Sequence, residues 1–242
     1  MKNFKYLLVV VVFLVGVVFI INKKPAVAPV VDDTVATKTI ELCFAKFGQV
    51  MPNPNGFEDK YTLRLSMTGD KATGELKFLP AEKDSKVGKF EGTVSAVDKI
   101  MMARTVNAWW KTMQEGISAT EELSIIFGEG TASVGFGEMV DRGDGVYVYK
   151  DKANIKYNLE LSDVACGDLT ERDNVESYVR ANINTLSPVK PVLGGTWYAL
   201  SVNIDAAKNS GNVTYEDGHI QQKKNFTYTI DSNLVVTNLT LK

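Results

Sequence analysis

The sequence predicts a mainly β protein: an antiparallel meander or small, closed or half-closed barrel, one amphipathic helix, then a four-stranded C-terminal β module. A transmembrane helix is expected at the N-terminus. Three observations carry this. Short stretches of alternating apolar and polar residues recur from Thr39 to Leu241, punctuated by turn residues. A single segment after Asp173 switches to helical spacing. Residues 6–21 form an unbroken apolar run.

The apolar run, Tyr6 to Ile21 (YLLVVVVFLVGVVFII), has 16 residues and no charge, between Lys2 and Lys5 on one side and Lys23 and Lys24 on the other. It falls slightly short of the roughly 20 residues of a full span and exceeds the roughly 7–15 of a signal-peptide core. Ile20 and Ile21 are bulky where a signal peptidase needs small residues. The one A-x-A match, Ala26-Val27-Ala28, lies beyond the lysines and before Pro29. No cysteine closes the run as a lipobox would. These flanks favour an uncleaved signal-anchor over residues 1–24, followed by a tether over 25–38 (PAVAPVVDDTVATK). The expected address is a single-pass cell-membrane protein.

Lysines on both flanks leave only a thin positive-inside bias, so the cysteines supply a second argument for orientation. The chain has two, Cys43 and Cys166, one near each end of the main β region. In an exported protein such a pair commonly closes a disulfide, the alternative being two free buried thiols, and a loop this long would contribute about 4 kcal/mol in the chain-entropy picture. The expected body is therefore extracytoplasmic, with Cys43 and Cys166 as disulfide candidates. The formal charge is −2; without Lys2, Lys5, Lys23 and Lys24 the rest carries 23 basic against 29 acidic residues. With no basic stripe to neutralise phosphates, nucleic acid is not an expected partner.

In the first β domain, residues 39–169, alternation marks strands over Lys60–Met67, Ala72–Phe78, Lys89–Ala96, Ala103–Lys111, Glu122–Phe127 and Thr131–Phe136. Two more are expected at Val146–Lys150 and Ile155–Leu161. Gly69-Asp70, Gly128-Glu129-Gly130 and the polar stretch Ala81–Gly88 are the turn signals between them. In the helix and linker, residues 170–191, Asp173-Asn174-Val175-Glu176 has the form of a capping box. Behind it Val175, Tyr178, Val179, Ile183 and Leu186 recur at helical spacing up to Pro188, predicting about three turns whose apolar stripe packs on a sheet. The C-terminal module, residues 192–242, reads as strands Thr196–Ile204, Asn212–Glu216, Asn225–Ile230 and Leu234–Leu241. So small a piece buries little core alone and should lean on the helix or the first domain.

An internal repeat is also visible. A shift of 137 places brings Tyr61, Leu63 and Leu65 onto Tyr198, Leu200 and Val202, and Lys71, Gly74 and Leu76 onto Lys208, Gly211 and Val213. With a one-residue slip, Phe90 and Thr93 meet Phe226 and Thr229. The module reads as a possible shortened copy of residues 61–94.

Candidate chemistry is sparse. His219, the sole histidine, sits in the turn-like Glu216-Asp217-Gly218-His219 and has no partner set for a triad or metal site. The carboxylate pairs Glu82/Asp84, Glu121/Glu122 and Glu216/Asp217 could serve glycan hydrolysis if brought together, but with no separation given by the sequence a solvated acidic surface is the reading to prefer. Glu138, Asp141 and Asp144 offer oxygens to a calcium ion but lack EF-hand spacing, and Arg142-Gly143-Asp144 fits a simple turn. Trp109 and Trp110 must point to opposite faces of a strand, so one fills the core. The other, beside Asn107 and Lys111, would suit stacking on a sugar or peptide. Trp109, Trp110 and Asn107 are the ligand-surface candidates. No catalytic residue, metal ligand or cofactor is expected. Gly195-Thr196-Trp197 is similar to the G-x-W opening of lipocalins, but its place near the chain's end departs from that pattern.

The stretches Leu79-Pro80-Ala81-Glu82-Lys83-Asp84-Ser85-Lys86, Phe90-Glu91-Gly92-Thr93-Val94, Phe136-Gly137-Glu138-Met139 and Tyr215-Glu216-Asp217-Gly218-His219-Ile220 together resemble uncharacterised bacterial envelope proteins. Those carry an N-terminal anchor or lipoprotein signal before a small β domain. The resemblance implies address and fold, and transfers no functional residue. The expected function is a membrane-anchored binding or structural module of the cell envelope, its partner an envelope protein, glycan or small ligand. The alternative is a carboxylate-dependent hydrolase acting on envelope polymers.

Overall fold

A computed structural model describes residues 38–48, 57–81 and 83–242. The anchor expected over residues 1–24, and all of the expected tether except Lys38, lie outside the described residues. Among the described residues, no helix is long and apolar enough to cross a membrane.

Ten strands come first: β1 (Thr39–Gly48), β2 (Asp59–Thr68), β3 (Lys71–Leu79), β4 (Lys86–Val94), β5 (Arg104–Gln114), β6 (Ile117–Gly128), β7 (Thr131–Phe136), β8 (Met139–Asp141), β9 (Val146–Tyr149) and β10 (Lys156–Asp163). Helix α1 (Cys166–Leu186) follows, then β11 (Tyr198–Asp205), β12 (Ser210–Glu216), β13 (Gln221–Ile230) and β14 (Val236–Leu241). Strands β1 to β7 pair in sequence, β10 pairs with β7, and β1 closes onto β10. The result is a closed, antiparallel, eight-stranded barrel. The small β8–β9 hairpin is an excursion between β7 and β10, with β9 lying parallel beside Thr120 and Glu121 of β6.

Period-two alternation puts Tyr61, Leu63, Leu65 and Met67 of β2 inside while Lys60, Thr62, Arg64 and Ser66 face out. Inward side chains from every barrel strand, among them Phe44, Leu76, Phe90, Trp110, Ile125, Val134 and Leu161, meet in one buried cluster. An eight-stranded barrel is just wide enough for such side chains to fill it. The closing seam is short. Where β1 and β2 pair along their whole lengths, β1 meets β10 only at Phe44–Asp163 and Ala45–Ser162. Beside this seam the sulfurs of Cys43 and Cys166 lie at disulfide distance, 2.11 Å, with Cα atoms 5.2 Å apart.

The hairpins give the barrel two distinct ends. One carries the start of β1, the Gly69-Asp70 turn, the loop 95–103 and the Glu129-Gly130 turn. The other carries the end of β3, the start of β4 and the Glu115-Gly116 turn.

Helix α1 is longer than its sequence pattern indicates. It starts at Cys166, and Asp173 of the apparent capping box lies inside it. Tertiary contacts set this start: no side chain caps Ala165, but Leu169 packs on Cys43 and Ala45, and Arg64 donates to the Cys166 carbonyl. Asp173 takes ion pairs from Arg64 at 3.3 Å and Lys77 at 3.0 Å instead of capping a terminus. The helix ends where expected, at Ser187 before Pro188. Its stripe Val175, Val179 and Ile183 covers the sheet β11-β12-β13-β14, joining Trp197, Val202, Val213, Tyr215, Phe226 and Leu239 in a second core.

The segments related by the sequence shift share strand order, each being an antiparallel meander. They also share a pairing of glycine against phenylalanine: Gly74 faces Phe90, and Gly211 faces Phe226. They differ at the preceding turn. Thr68 and Lys71 flank a two-residue turn, whereas a 3-10 turn over Ala206–Lys208 separates Asp205 from Ser210. Leu65 therefore faces Gly74, while Val202 faces Val213.

Candidate functional site

Alternation along β5 settles the tryptophan pair. Trp110 points inward, is 6% exposed, and donates its indole N–H to the Gly88 carbonyl at 3.0 Å. Trp109 points outward and is 37% exposed, with Asn107 on the same face. The β5–β6 register follows from a two-residue turn whose residues, Glu115 and Gly116, both adopt positive φ. That register sets Glu122 opposite Trp109 and Ser124 opposite Asn107, while β4 brings Thr93 beside Asn107 on the other side.

The chain from β9 into β10 builds the remaining wall of a groove of about 250 Å³, lined by Thr93, Asn107, Trp109, Glu122, Ser124, Tyr149, Lys152 and Ile155. The groove is tightly wired. Glu122 accepts from the Tyr149 backbone N–H at 2.9 Å and from Lys152 Nζ at 2.7 Å. Ser124 Oγ lies 2.8 Å from the Tyr157 hydroxyl and donates to Asn107 Oδ1 at 3.5 Å. Burial pushes the Tyr149 phenol up to about 12, so it stays neutral at physiological pH. Its hydroxyl donates to the Gly135 carbonyl at 3.0 Å. Over the rim, the Arg142 guanidinium sits 5.8 Å from the Trp109 ring while pairing with Asp144.

A larger cleft, about 390 Å³, lies where the outer wall of β2 and β3, one face of α1 and β11 converge. Its charges hold these elements together. Lys60 bonds Glu176 at 2.7 Å and the Val202 carbonyl at 2.6 Å; Arg180 bonds Glu176 at 2.7 Å and the Ala199 carbonyl at 2.6 Å. Arg172 donates to the Ile204 carbonyl and stacks over Phe47. Burial alone would raise the Glu176 carboxyl, but Lys60 and Arg180 outweigh it and hold it below the usual range. This cleft is a polar junction whose cations are all engaged.

The other sequence candidates occupy structural positions. His219 is exposed in a turn where Asp217 accepts the backbone N–H groups of His219 and Ile220. Those bonds, Ile220's first, hold the Asp217 carboxyl low. Glu121 pairs with Lys86, Glu216 accepts from the Tyr198 hydroxyl, and Asp84 accepts from Gln114. Glu82 lies outside the described residues. Glu138 pairs with Lys150, Asp141 caps the Gly143 N–H, and Asp144 pairs with Arg142, as in a simple loop. Among the described residues, no group of three metal-ligating side chains comes together. Trp197 belongs to the helix–sheet core, edge-on to Tyr215, and not to the barrel.

The chain matches none of the family models, curated proteins or solved structures compared with it.

Sequence reading found Trp109 and Asn107 but not Glu122, Lys152, Tyr149 or Arg142 as their neighbours. Placing a hairpin turn at Glu115-Gly116 would have yielded the Glu122 and Ser124 pairings. Nothing local points to the contacts made by Lys152 and Arg142.

Proposed function

We propose that this chain is an extracytoplasmic binding module held at the membrane by residues 6–21, and that the Trp109 groove holds a carbohydrate of the cell envelope. The observation that carries this is the half-exposed Trp109 ring set in an open groove among Asn107, Thr93, Glu122 and Lys152. A pyranose has an apolar face suited to an indole and a hydroxyl rim suited to amide, hydroxyl and charged partners. The bonds that fix Glu122 and Ser124 pre-organise the groove, which lowers the ordering cost of binding. A carbohydrate ring over Trp109 would take the place of the Arg142 guanidinium.

The hydrolase alternative finds little support. Each carboxylate named for it and described in the structure is engaged by a neighbouring cation, hydroxyl, amide or backbone N–H, and the barrel interior is filled by side chains. The test is a glycan array probed with the full chain in detergent and with Trp109→Ala. Retention on a defined set of glycans that falls at least ten-fold in the variant, about 1.4 kcal/mol, is the expected result. Equal retention by both proteins, or retention by neither, ends the carbohydrate reading.

A further inference from the structure

The loop between β4 and β5 presents bare apolar side chains to solvent: Ile100 is 93% exposed, Met101 59% and Met102 57%. The loop is held in shape. Asp98 Oδ1 accepts the backbone N–H groups of Ile100 at 2.8 Å and Met101 at 3.0 Å, and the Asp98 N–H reaches the Ala103 carbonyl at 2.8 Å. Arg104 Nε and the Thr105 N–H both bond Ser95. Met102 adopts a φ of 51°, a left-handed conformation that costs a side-chain-bearing residue energy. A built turn that aims three large apolar groups outward calls for an apolar surface to receive them.

Strand register shows where that surface lies. Thr39 faces Thr68, Lys71 faces Thr93, and the Val94 N–H bonds the Asp70 carbonyl. The loop 95–103 therefore sits at the end of the barrel where the chain comes in from residues 1–37. That incoming sequence contains the apolar run 6–21 and a stretch of 14 residues, 25–38. Fully extended, such a stretch reaches at most about 50 Å. Lys99 stands next to the apolar trio in sequence, and a lysine can lay its stem along an apolar surface while its ammonium stays in water.

We propose that Ile100, Met101 and Met102 form a second membrane contact, dipping into the interface of the bilayer that the N-terminal anchor crosses. This rests on the anchor reading. A loop so tethered needs little affinity of its own, because the tether keeps its local concentration high. The contact stands the barrel upright. Helix α1, which leaves Cys166 and passes Arg64 before reaching Lys60, then carries the C-terminal sheet away from the membrane. The Trp109 groove, on the side wall, stays open.

The test uses the full-length chain reconstituted into phosphatidylcholine vesicles with brominated acyl chains. Ile100→Trp reports on the loop, and Ile117→Trp on the opposite end. Both replace exposed side chains, so neither should disturb the fold. The chain should float with the vesicles, with added emission from Ile100→Trp quenched at least two-fold and Ile117→Trp quenched no more than the native protein. Floating protein with both positions unquenched overturns the loop contact and leaves the anchor standing; the trio would then belong to a protein partner. Equal quenching of both positions also overturns it. A chain that fails to float removes the anchor reading, and the loop contact with it.

Discussion

In the barrel, the meander from β1 continues until β10 meets β1 again; in the C-terminal module, a similar meander stops after β14. The barrel has enough strands to bury its inner face against itself, and its core is almost wholly apolar. Four strands cannot close, so the second sheet has one face to cover and borrows α1 for it. That core is keyed by polar tips. Tyr228 donates to Glu171 at 2.6 Å, the Tyr215 and Ser187 hydroxyls meet at 3.0 Å, and the Trp197 indole N–H reaches the Val189 carbonyl at 2.9 Å. Closure sets the position of every strand by geometry. A covering helix can slide, and the buried Tyr228–Glu171 bond ties α1 to the sheet at one point.

The largest expected effect comes from breaking closure. With Cys43→Ser and Cys166→Ser combined, urea unfolding should show a loss of about 2–5 kcal/mol. Hydrogen exchange should rise first in β1 and β10, whose pairing is the shortest in the ring, while β11–β14 keep their protection. Earlier exchange in the C-terminal sheet would place the weak point in the helix cover and not in the seam.

A medium effect tests what the regions share. A methyl group at Gly74 would fall 2.4 Å from Phe90 Cζ and 2.0 Å from the Arg64 carbonyl oxygen; at Gly211, 2.4 Å from Phe226 Cζ and 2.3 Å from the Asn203 oxygen. Gly74→Ala and Gly211→Ala should each cost about 1–3 kcal/mol by overpacking. Adding Phe90→Leu or Phe226→Leu should recover part of the respective loss. The duplication read from the sequence requires matching responses. A neutral alanine at either site breaks the parallel.

The smallest effect is expected where α1 meets the barrel and not the C-terminal sheet. On the side that faces the barrel, Glu176 has a carboxyl that Lys60 and Arg180 hold low against the effect of burial. A carboxyl whose folded pKa is lowered contributes stability above its unfolded value, near 4.3. That stability is lost as pH falls through the lowered folded value. Glu176→Gln should therefore cost about 1 kcal/mol at neutral pH, after allowance for solvent screening. The Tm gap to the native protein should shrink below about pH 4. A gap constant with pH would mean the pair adds nothing beyond packing.

Much of this was legible in local pattern. Among the described residues, twelve of the fourteen strands coincide with predicted alternating stretches, and β1 begins at Thr39, where the alternation sets in. β8, three residues long, is too short to show a period. The stripe Val175, Val179 and Ile183 was visible and covers a sheet as expected, but the start of α1 was misplaced. Asp173 looks like a cap only while the barrel lysine and arginine that claim it are out of view. Opposite faces for Trp109 and Trp110 followed from period two alone; which of them would be buried did not.

The sequence by itself determined the strands, the helical stripe, the oxidisable cysteine pair and the two-faced tryptophans, because each depends on neighbours a few residues away. Only the tertiary structure decided that the sheet closes, that its seam lies at β1 and β10 beside Cys43, and that Glu122, Lys152 and Arg142 gather around Trp109. It alone placed the bare Ile100-Met101-Met102 loop at the end of the barrel where the chain comes in. These outcomes depend on strand register accumulated around a ring, and no short window of sequence contains it.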